Sequence, residues 1–233
     1  HDFGTNPCSE IILRSAQVCN LSEIVIRSTD TFEDLNRKVR LATILGTLQS
    51  SLTDFRYVRS VWKRNTEEEC LLGVSMTGIM DHPVMSGKSK KGTWFDHPNM
   101  SDLPKVLEAL KAVAVETNKT WAKKLGINQS TAITCVKPSG TVSQLVDSAS
   151  GIHARFSPQY IRRVRSDGKD PISKFLIDSG VPWEKDVMNM ENYVFSFPVK
   201  APSGGICTES LDVKQQLDLW EIYQNHWCEH KPS

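Results

Sequence analysis

Apolar residues recur every three or four positions in three long segments, and each segment predicts an amphipathic helix. The first begins after Thr31, and Asp34 follows it three residues later as in a capping box. The second begins near 101–102 and ends at Gly126, and the third spans 212–227. The predicted buried positions are Phe32, Leu35, Val39, Ala42, Leu45, Leu48, Leu52 and Phe55, then Val106, Leu110, Val113, Thr117, Trp121 and Leu125, then Val213, Leu217, Trp220, Tyr223 and Trp227.

Short runs rich in apolar and β-branched residues lie between these helices and predict strands at 10–13, 23–26, 131–136 and 193–199. The segment 82–100 has no periodicity and contains several prolines and glycines, so it predicts a surface loop. Helices that alternate with short strands favour an α/β fold with a largely parallel sheet.

The composition predicts a folded chain with one sizeable core. Of the 233 residues, 39% are hydrophobic and 24% are charged, which indicates one domain or part of one. A formal net charge of +1 gives no field that attracts nucleic acid or an anionic membrane, so we expect a small substrate. No apolar run reaches the roughly 18 residues that span a bilayer and no signal-peptide pattern opens the chain, so a cytoplasmic location is expected.

A five-residue motif near the start, Asn-Pro-Cys-Ser-Glu, brings a thiol between an amide and a carboxylate. If residues 6–10 are extended, the side chains of Asn6, Cys8 and Glu10 share one face and enter one pocket. Cys19 follows Cys8 after eleven residues, and none of the six cysteines forms a C-x-x-C pair, so free thiols or redox chemistry are expected. From the motif alone, a tight turn with a buried structural thiol remains an equal alternative.

Residues 137–143, Lys-Pro-Ser-Gly-Thr-Val-Ser, follow a predicted strand and precede polar residues that could open a helix. Free backbone N–H groups at such a position bind phosphate, and the glycine allows close approach. An ordinary loop or helix cap is the alternative interpretation of these residues.

Two further clusters have simpler explanations. Arg155, Arg162, Arg163 and Arg165 resemble a phosphate patch, but a solvated face or local ion pairs are the favoured interpretation. His226, Cys228 and His230 are spaced closely enough to share a metal ion, yet no second ligand pair accompanies them, so no metal is predicted.

Several segments, in order, resemble the catalytic chain of ribonucleotide reductases, specifically the adenosylcobalamin-dependent class II branch. They are Gly-Thr-Asn-Pro-Cys-Ser-Glu-Ile at 4–11 with Cys-Asn-Leu at 19–21, Gly-Val-Ser-Met-Thr-Gly-Ile-Met-Asp at 73–81, residues 137–143, Gly-Ile-His at 151–153 through Tyr-Ile-Arg-Arg-Val-Arg at 160–165, and Asn-His-Trp-Cys-Glu-His at 225–230. The resemblance implies part of a ten-stranded α/β barrel with a central finger loop. Residues 1–233 are then expected to be the C-terminal part of that barrel, truncated at both ends.

The resemblance also implies a role for each residue of the first motif. Cys8 is the thiyl that removes the 3′ hydrogen of the ribose, Glu10 is the general base, and Asn6 hydrogen-bonds the sugar. Cys19 is one of two reducing cysteines that end as a disulfide, and its partner is expected on an earlier strand. The substrate phosphates are expected on Pro138, Ser139, Gly140, Thr141, Val142 and Ser143.

The implied function is the reduction of ribonucleoside triphosphates to 2′-deoxyribonucleotides for DNA synthesis. Adenosylcobalamin is the implied cofactor, and thioredoxin or a similar dithiol and the N-terminal remainder of the enzyme are the implied partners. The isolated chain is expected to be inactive. Two alternatives remain open, a class I catalytic subunit that depends on a metal subunit, and a non-catalytic module that binds nucleotide through residues 137–143.

Overall fold

The computed structural model describes residues 2–88 and 102–231. Within them the elements are, in chain order, β1 (Phe3–Thr5), β2 (Ile12–Arg14), β3 (Asn20–Val25), α1 (Phe32–Ser50), α2 (Ser60–Glu69), β4 (Leu72–Thr77), α3 (Leu103–Leu125), α4 (Thr141–Leu145), β5 (Gln159–Asp167), α5 (Pro171–Asp178), β6 (Trp183–Lys185), β7 (Asn192–Lys200) and α6 (Val213–His226). The chain divides into two compact units, one formed by His1–Arg155 with Ser203–Ser233 and the other by Phe156–Pro202.

The centre of the first unit is a pair of parallel strands. β3 and β4 pair from Asn20 opposite Leu72 to Val25 opposite Thr77. The predicted strand 131–136 is an extended segment on the other side of β4, joined to it by a parallel bridge between Val74 and Thr134. β4 is buried along its whole length because α1, α3 and α6 contribute to the same apolar core. The expected parallel α/β arrangement is therefore present in this unit.

The helix boundaries follow the capping signals in the sequence. Thr31 and Asp34 form the predicted capping box at the start of α1. Asp102 caps α3, which ends at Gly126 in the left-handed conformation with a φ of 68°. Asp212 caps α6 by accepting a hydrogen bond from the backbone N–H of Gln215. These ends were predictable because each cap is made by residues three or four positions apart.

The buried faces of the helices differ in part from the periodicity. The prediction is confirmed in the first half of α1 but is wrong for Leu45, Leu48 and Leu52 beyond it, and for Val213, Leu217 and Trp220 in α6, all of which are exposed. In α1, small residues turn inward instead, since the Asn118 side-chain amide of α3 donates to the Thr47 hydroxyl at 3.0 Å. A hydrogen bond between two helix faces therefore replaces the leucine contact that the pattern predicted. The short helix α2 has no counterpart in the sequence prediction.

The second unit is a three-stranded sheet in the order β5-β7-β6, and both of its strand pairs are antiparallel. β7 confirms the predicted strand at 193–199, and its pairing with β5 runs from Gln159 opposite Lys200 to Asp167 opposite Asn192. A largely parallel sheet was the wrong expectation for this part of the chain. The predicted loop 82–100 lies outside the described residues except for 82–88, which form turns.

Candidate active site

A tight loop joins β1 to β2 and carries the cysteine motif. The backbone N–H of Asn6 donates to the carbonyl oxygen of Ile11 at 3.2 Å, and the N–H of Ile11 donates to Asn6 Oδ1 at 3.1 Å. Ser9 adopts a φ of 61°, and its N–H donates to the Asn6 carbonyl at 2.9 Å. Residues 6–10 are therefore a turn and not an extended segment, so the alternation expected for their side chains is wrong. The Asn6 carbonyl oxygens are used to close the turn.

The turn places the thiol and the carboxylate of the motif at one cavity while giving them different environments. Cys8 is exposed at the tip, whereas the Glu10 side chain is only 1% exposed. Both residues line a cavity of about 240 Å³, together with Lys137, His153, Trp220 and His230. Neither Asn6 nor Cys19 lines this cavity.

Lys137 connects the two groups. Its Nζ lies 3.3 Å from the Cys8 sulfur and 3.4 Å from Glu10 Oε1, although Cys8 is 129 residues away in the sequence. Burial alone would lower the pKa of Lys137, but the hydrogen bond to Cys8 and the charge of Glu10 outweigh it and raise this pKa. The amine is therefore a cation beside the thiol at neutral pH.

One oxygen of the buried carboxylate has no hydrogen-bond partner among the residues that the structure describes. Glu10 Oε1 faces Lys137, while Glu10 Oε2 is buried and makes no hydrogen bond. A buried carboxylate oxygen is rarely left without a donor, because its desolvation is costly. The arrangement suits a ligand hydroxyl in the cavity that donates to Oε2 close to the Cys8 sulfur.

Cys19 lies just before β3 and is half-buried. Burial, and then the negative charge of Glu10, raise the pKa of its thiol to about 11. Cys135 is fully buried, and burial followed by the influence of Cys228 and Glu10 raises its pKa well above the ordinary value. Both sulfurs are consequently protonated thiols near neutral pH, the form that can give up a hydrogen atom.

The predicted phosphate loop does follow an extended segment and lead into a helix, α4. The Ser139 hydroxyl donates to Glu23 Oε2 at 2.9 Å, and the Ser143 hydroxyl donates to the carbonyl oxygens of Ser139 and Gly140 at 2.6 and 2.8 Å. Burial raises the pKa of Glu23, and the hydrogen bond from Ser139 opposes that rise. Two of the three hydroxyls expected to face a phosphate are thus committed inside the protein, and Thr141 is the exposed one.

Three arginines of the cluster, Arg155, Arg163 and Arg165, form ion pairs, in agreement with the favoured interpretation. Arg155 is buried and donates to both carboxylate oxygens of Asp81, at 2.7 and 2.9 Å, and to Asp147. In the second unit, Arg165 pairs with Asp186 at 2.8 Å, and Arg163 pairs with Glu184.

The two histidines near the end of the chain bond to different elements. His226 Nδ1 lies 2.6 Å from a carboxylate oxygen of Glu108 on α3, and His230 Nε2 lies 2.7 Å from the carbonyl oxygen of Leu72. Burial lowers the pKa of His230, so its ring is neutral and Nε2 is the donor. Across residues 2–88 and 102–231, no group of three or more possible ligands is arranged to hold a metal ion. No helix in the same residues is long and apolar enough to cross a membrane.

Sequence reasoning missed most of the cavity wall, including the polar or aromatic residues Lys137, His153, Trp220 and His230. Lys137 is the first residue of the predicted phosphate segment 137–143, but it had no role assigned to it. His153 belongs to the Gly-Ile-His motif, and Trp220 and His230 come from α6 and the segment after it. Lys137, His153 and His230 each lie in one of the ordered motifs, so those motifs could have indicated them as site residues. Trp220 was assigned to the helix interior, and only the packing of α6 shows that it faces the cavity.

Comparison with solved structures shows the fold of a class II ribonucleotide reductase catalytic chain. The crystal structure of a B12-dependent (class II) ribonucleotide reductase matches with a TM-score of 0.78 and 24% sequence identity, over 97% of this chain and 34% of the other. The match confirms the expected fold family. This chain contains only part of the barrel.

Among curated proteins, this chain is related to the adenosylcobalamin-dependent ribonucleoside-triphosphate reductases. Identity is 28% with the enzyme of Lactobacillus gasseri, 30% with that of Levilactobacillus brevis and 26% with that of Lactobacillus leichmannii. Each alignment covers 99% of this chain and 33% of the relative, so the chain spans about a third of the length of these enzymes. No family model matches the chain. The resemblance stated from the ordered motifs is thereby confirmed.

Proposed function

We propose that this chain carries the radical cysteine and general base of a ribonucleotide reductase that converts ribonucleoside triphosphates to 2′-deoxyribonucleotides. The observation that carries the proposal is the unpartnered Oε2 of Glu10, buried beside the Cys8 thiol in a cavity of about 240 Å³. A ribose 3′ hydroxyl that donates to this oxygen presents its 3′ C–H bond to the sulfur. The names of the relatives support the same activity.

Each residue then has a defined task. The Cys8 thiyl takes the 3′ hydrogen atom, and Glu10 accepts the proton of the 3′ hydroxyl, which helps the 2′ hydroxyl to leave as water. Since the Asn6 carbonyl oxygens close the turn, its amide N–H groups are the part of the side chain proposed to donate to the sugar. The hydrogen atom returns from Cys8 to C3′ at the end, so the thiyl is regenerated.

The reduction consumes two electrons and two protons for each water released. Two thiols supply them and become one disulfide, and Cys19 is proposed as one of the two. The second thiol and the N-terminal remainder of the barrel are proposed to lie outside these residues, in a complete cytoplasmic enzyme of which this chain is the C-terminal barrel part. Thioredoxin or a similar dithiol then reduces the disulfide.

The exposed position of Cys8 fits a radical cofactor. A cavity of about 240 Å³ suits a sugar and its neighbours but not a corrin ring, so adenosylcobalamin would bind on the open side of the Cys8 loop. When bound, this cofactor supplies the adenosyl radical that removes the hydrogen atom of the thiol. Residues 138–143 are proposed to bind the substrate phosphates through backbone N–H groups and the Thr141 hydroxyl.

Turnover of the complete enzyme with adenosylcobalamin, thioredoxin and each ribonucleoside triphosphate tests the proposal. We expect deoxyribonucleotide from the wild type, none from C8A, and a loss of about 10²-fold or more in E10Q. C207A, which removes a buried thiol outside the cavity, serves as the matched control and keeps its activity. Paramagnetic resonance of the wild type should show cobalt(II) coupled to a thiyl, and C8A should lack the coupled signal.

Three results would contradict the proposal. Turnover that needs no cobalamin but requires a metal subunit would indicate a class I enzyme. Nucleotide binding that is equal in wild type and C8S, with no reduction, would indicate a non-catalytic module. Turnover by the 233-residue chain alone would show that no further thiol or barrel part is needed.

A further inference from the structure

We propose that Lys137 is a positioning residue of this site: its ammonium group binds both the Cys8 sulfur and the Glu10 carboxylate and holds the loop between β1 and β2 against the sheet. The contacts that support it are Nζ to Sγ at 3.3 Å and Nζ to Oε1 at 3.4 Å. Its importance for catalysis depends on the function proposed above, whereas its effect on the charge around Cys8 does not.

The backbone of Lys137 is fixed from two sides. Its N–H donates to the Ser75 hydroxyl on β4 at 2.8 Å, and its carbonyl oxygen lies against Gly151, where a Cβ would come within 2.7 Å of it. The lysine side chain therefore starts from a rigid point on the sheet. Cys8, by contrast, is exposed at the tip of a two-stranded hairpin, so the ammonium group ties a projecting loop to the core.

The charges explain why the residue has to be a cation. The Glu10 side chain is 1% exposed and Lys137 is 29% exposed, so a buried carboxylate faces a partly shielded amine. A buried carboxylate is stable only when a partner offsets its desolvation. Lys137 is the cation within ion-pair distance of Glu10 in the described part of the chain.

The ammonium group also retains a third N–H bond. Cys8 and Glu10 take two of its three donors, and lysine has no acceptor of its own. Lys137 also lines the same cavity as both partners. The geometry thus couples thiol and carboxylate through one side chain at the cavity wall.

The charge beside the sulfur can be measured without turnover. Cys8 in the 233-residue chain is alkylated with anionic iodoacetate and with neutral iodoacetamide. Mass spectrometry of the tryptic peptide that ends at Arg14 gives the ratio of the iodoacetate rate to the iodoacetamide rate. Both reagents react with the thiolate, so the reactivity and accessibility of the Cys8 sulfur cancel in the ratio. The ratio therefore reports the electrostatic potential at Cys8. We expect K137M to lower this ratio about two- to fivefold, K137R to keep it, and 1 M salt to reduce the difference.

K119M, which removes an exposed lysine of α3, is the control and should leave the ratio unchanged. Protection of the buried Cys135 and Cys228 in the same digest shows that a variant is folded. If K137M exposes those thiols, K137Q takes its place. An equal ratio in the wild type and the folded neutral variant would overturn the proposal, and so would an equal fall in K119M.

In the complete enzyme, K137M should lower kcat about tenfold or more while KM changes less than about threefold, and K137R should recover most of the loss. Wild-type kcat in K137M would overturn the catalytic part of the proposal. A complete wild-type enzyme without reductase activity would instead refute the proposed function, and the alkylation ratio would still decide the placement of Lys137.

Discussion

A Cβ atom on Gly151 would lie 2.7 Å from the carbonyl oxygen of Lys137, closer than real Cβ atoms approach a backbone oxygen. Gly151 also has a φ of 53°, a conformation that other residues adopt only with strain. Because no side chain separates them, the turn that carries His153 and the segment that carries Lys137 reach the same cavity. A glycine remote from the cysteine motif thereby shapes the site.

Gly151→Ala should therefore destabilise the chain by about 2 kcal/mol or more, from backbone strain and the clash with Lys137. Denaturant unfolding measures the difference. Gly126→Ala is the matched control, because Gly126 has a φ of 68° but no atom within 4 Å of the place where a Cβ would lie, and it should cost about 1 kcal/mol. Equal losses in the two variants would show that the close contact has no energetic weight.

Breaking the buried pair of Arg155 and Asp81 should cost about 3–5 kcal/mol, since either single change leaves an uncompensated buried charge. Asp81→Asn and Arg155→Met are compared by denaturant unfolding. Arg56→Met removes an ion pair with Asp54 that is exposed on both sides, and it should cost less than about 1 kcal/mol. A small loss in both Asp81 and Arg155 variants would contradict the assigned network.

Ser139→Ala should destabilise the chain more at pH 8 than at pH 4.5. Burial raises the pKa of Glu23 above 4.5 in the folded state. The stability that Glu23 contributes in its protonated form is therefore complete below pH 4.5 and is lost as the pH rises through the folded-state pKa. Without the Ser139 hydrogen bond the pKa of Glu23 rises further. Ser139→Ala should therefore lower the free energy of unfolding by about 2 kcal/mol at pH 8.

Ser143→Ala is the control for that pH dependence, because the Ser143 hydroxyl donates to backbone carbonyl oxygens and not to a carboxylate. It should cost about 1 kcal/mol at both pH values. Urea unfolding at the two pH values gives all four free energies. A pH-independent loss in Ser139→Ala would count against the Glu23 contact.

Glu10→Gln should make Cys19 react faster with iodoacetamide at pH 8.5, by about threefold. Burial is the main reason that the pKa of Cys19 is about 11, and removing the Glu10 charge takes away the second cause. Since the pKa is raised by folding, the thiol's contribution to stability is complete below pH 9 and is lost as the pH rises toward 11. Glu209→Gln changes an exposed carboxylate that does not contribute to the pKa shift of Cys19, so it should leave the Cys19 rate unaltered.

The sequence by itself determined the features that depend on neighbours along the chain. The cap of Thr31 with Asp34 and the left-handed end at Gly126 are satisfied within three or four residues, so no other element is needed to form them. The ordered motifs likewise carried the resemblance to class II ribonucleotide reductases, because each of them is a short run of adjacent residues. Both kinds of signal are carried by short segments.

The tertiary structure alone decided which groups meet. Lys137 reaches Cys8 across 129 residues, and no local pattern encodes such a distance. The turn at Ser9 keeps Asn6 out of the cavity. The Asn118 amide donates to Thr47 on the buried face of α1, whereas Leu45 and Leu48 are exposed. The contacts of Lys137 with Cys8 and of Asn118 with Thr47 join elements far apart in sequence, and their free energy exists only once the chain has folded. The Ser9 turn closes within five residues, but the residue pattern did not reveal its positive φ.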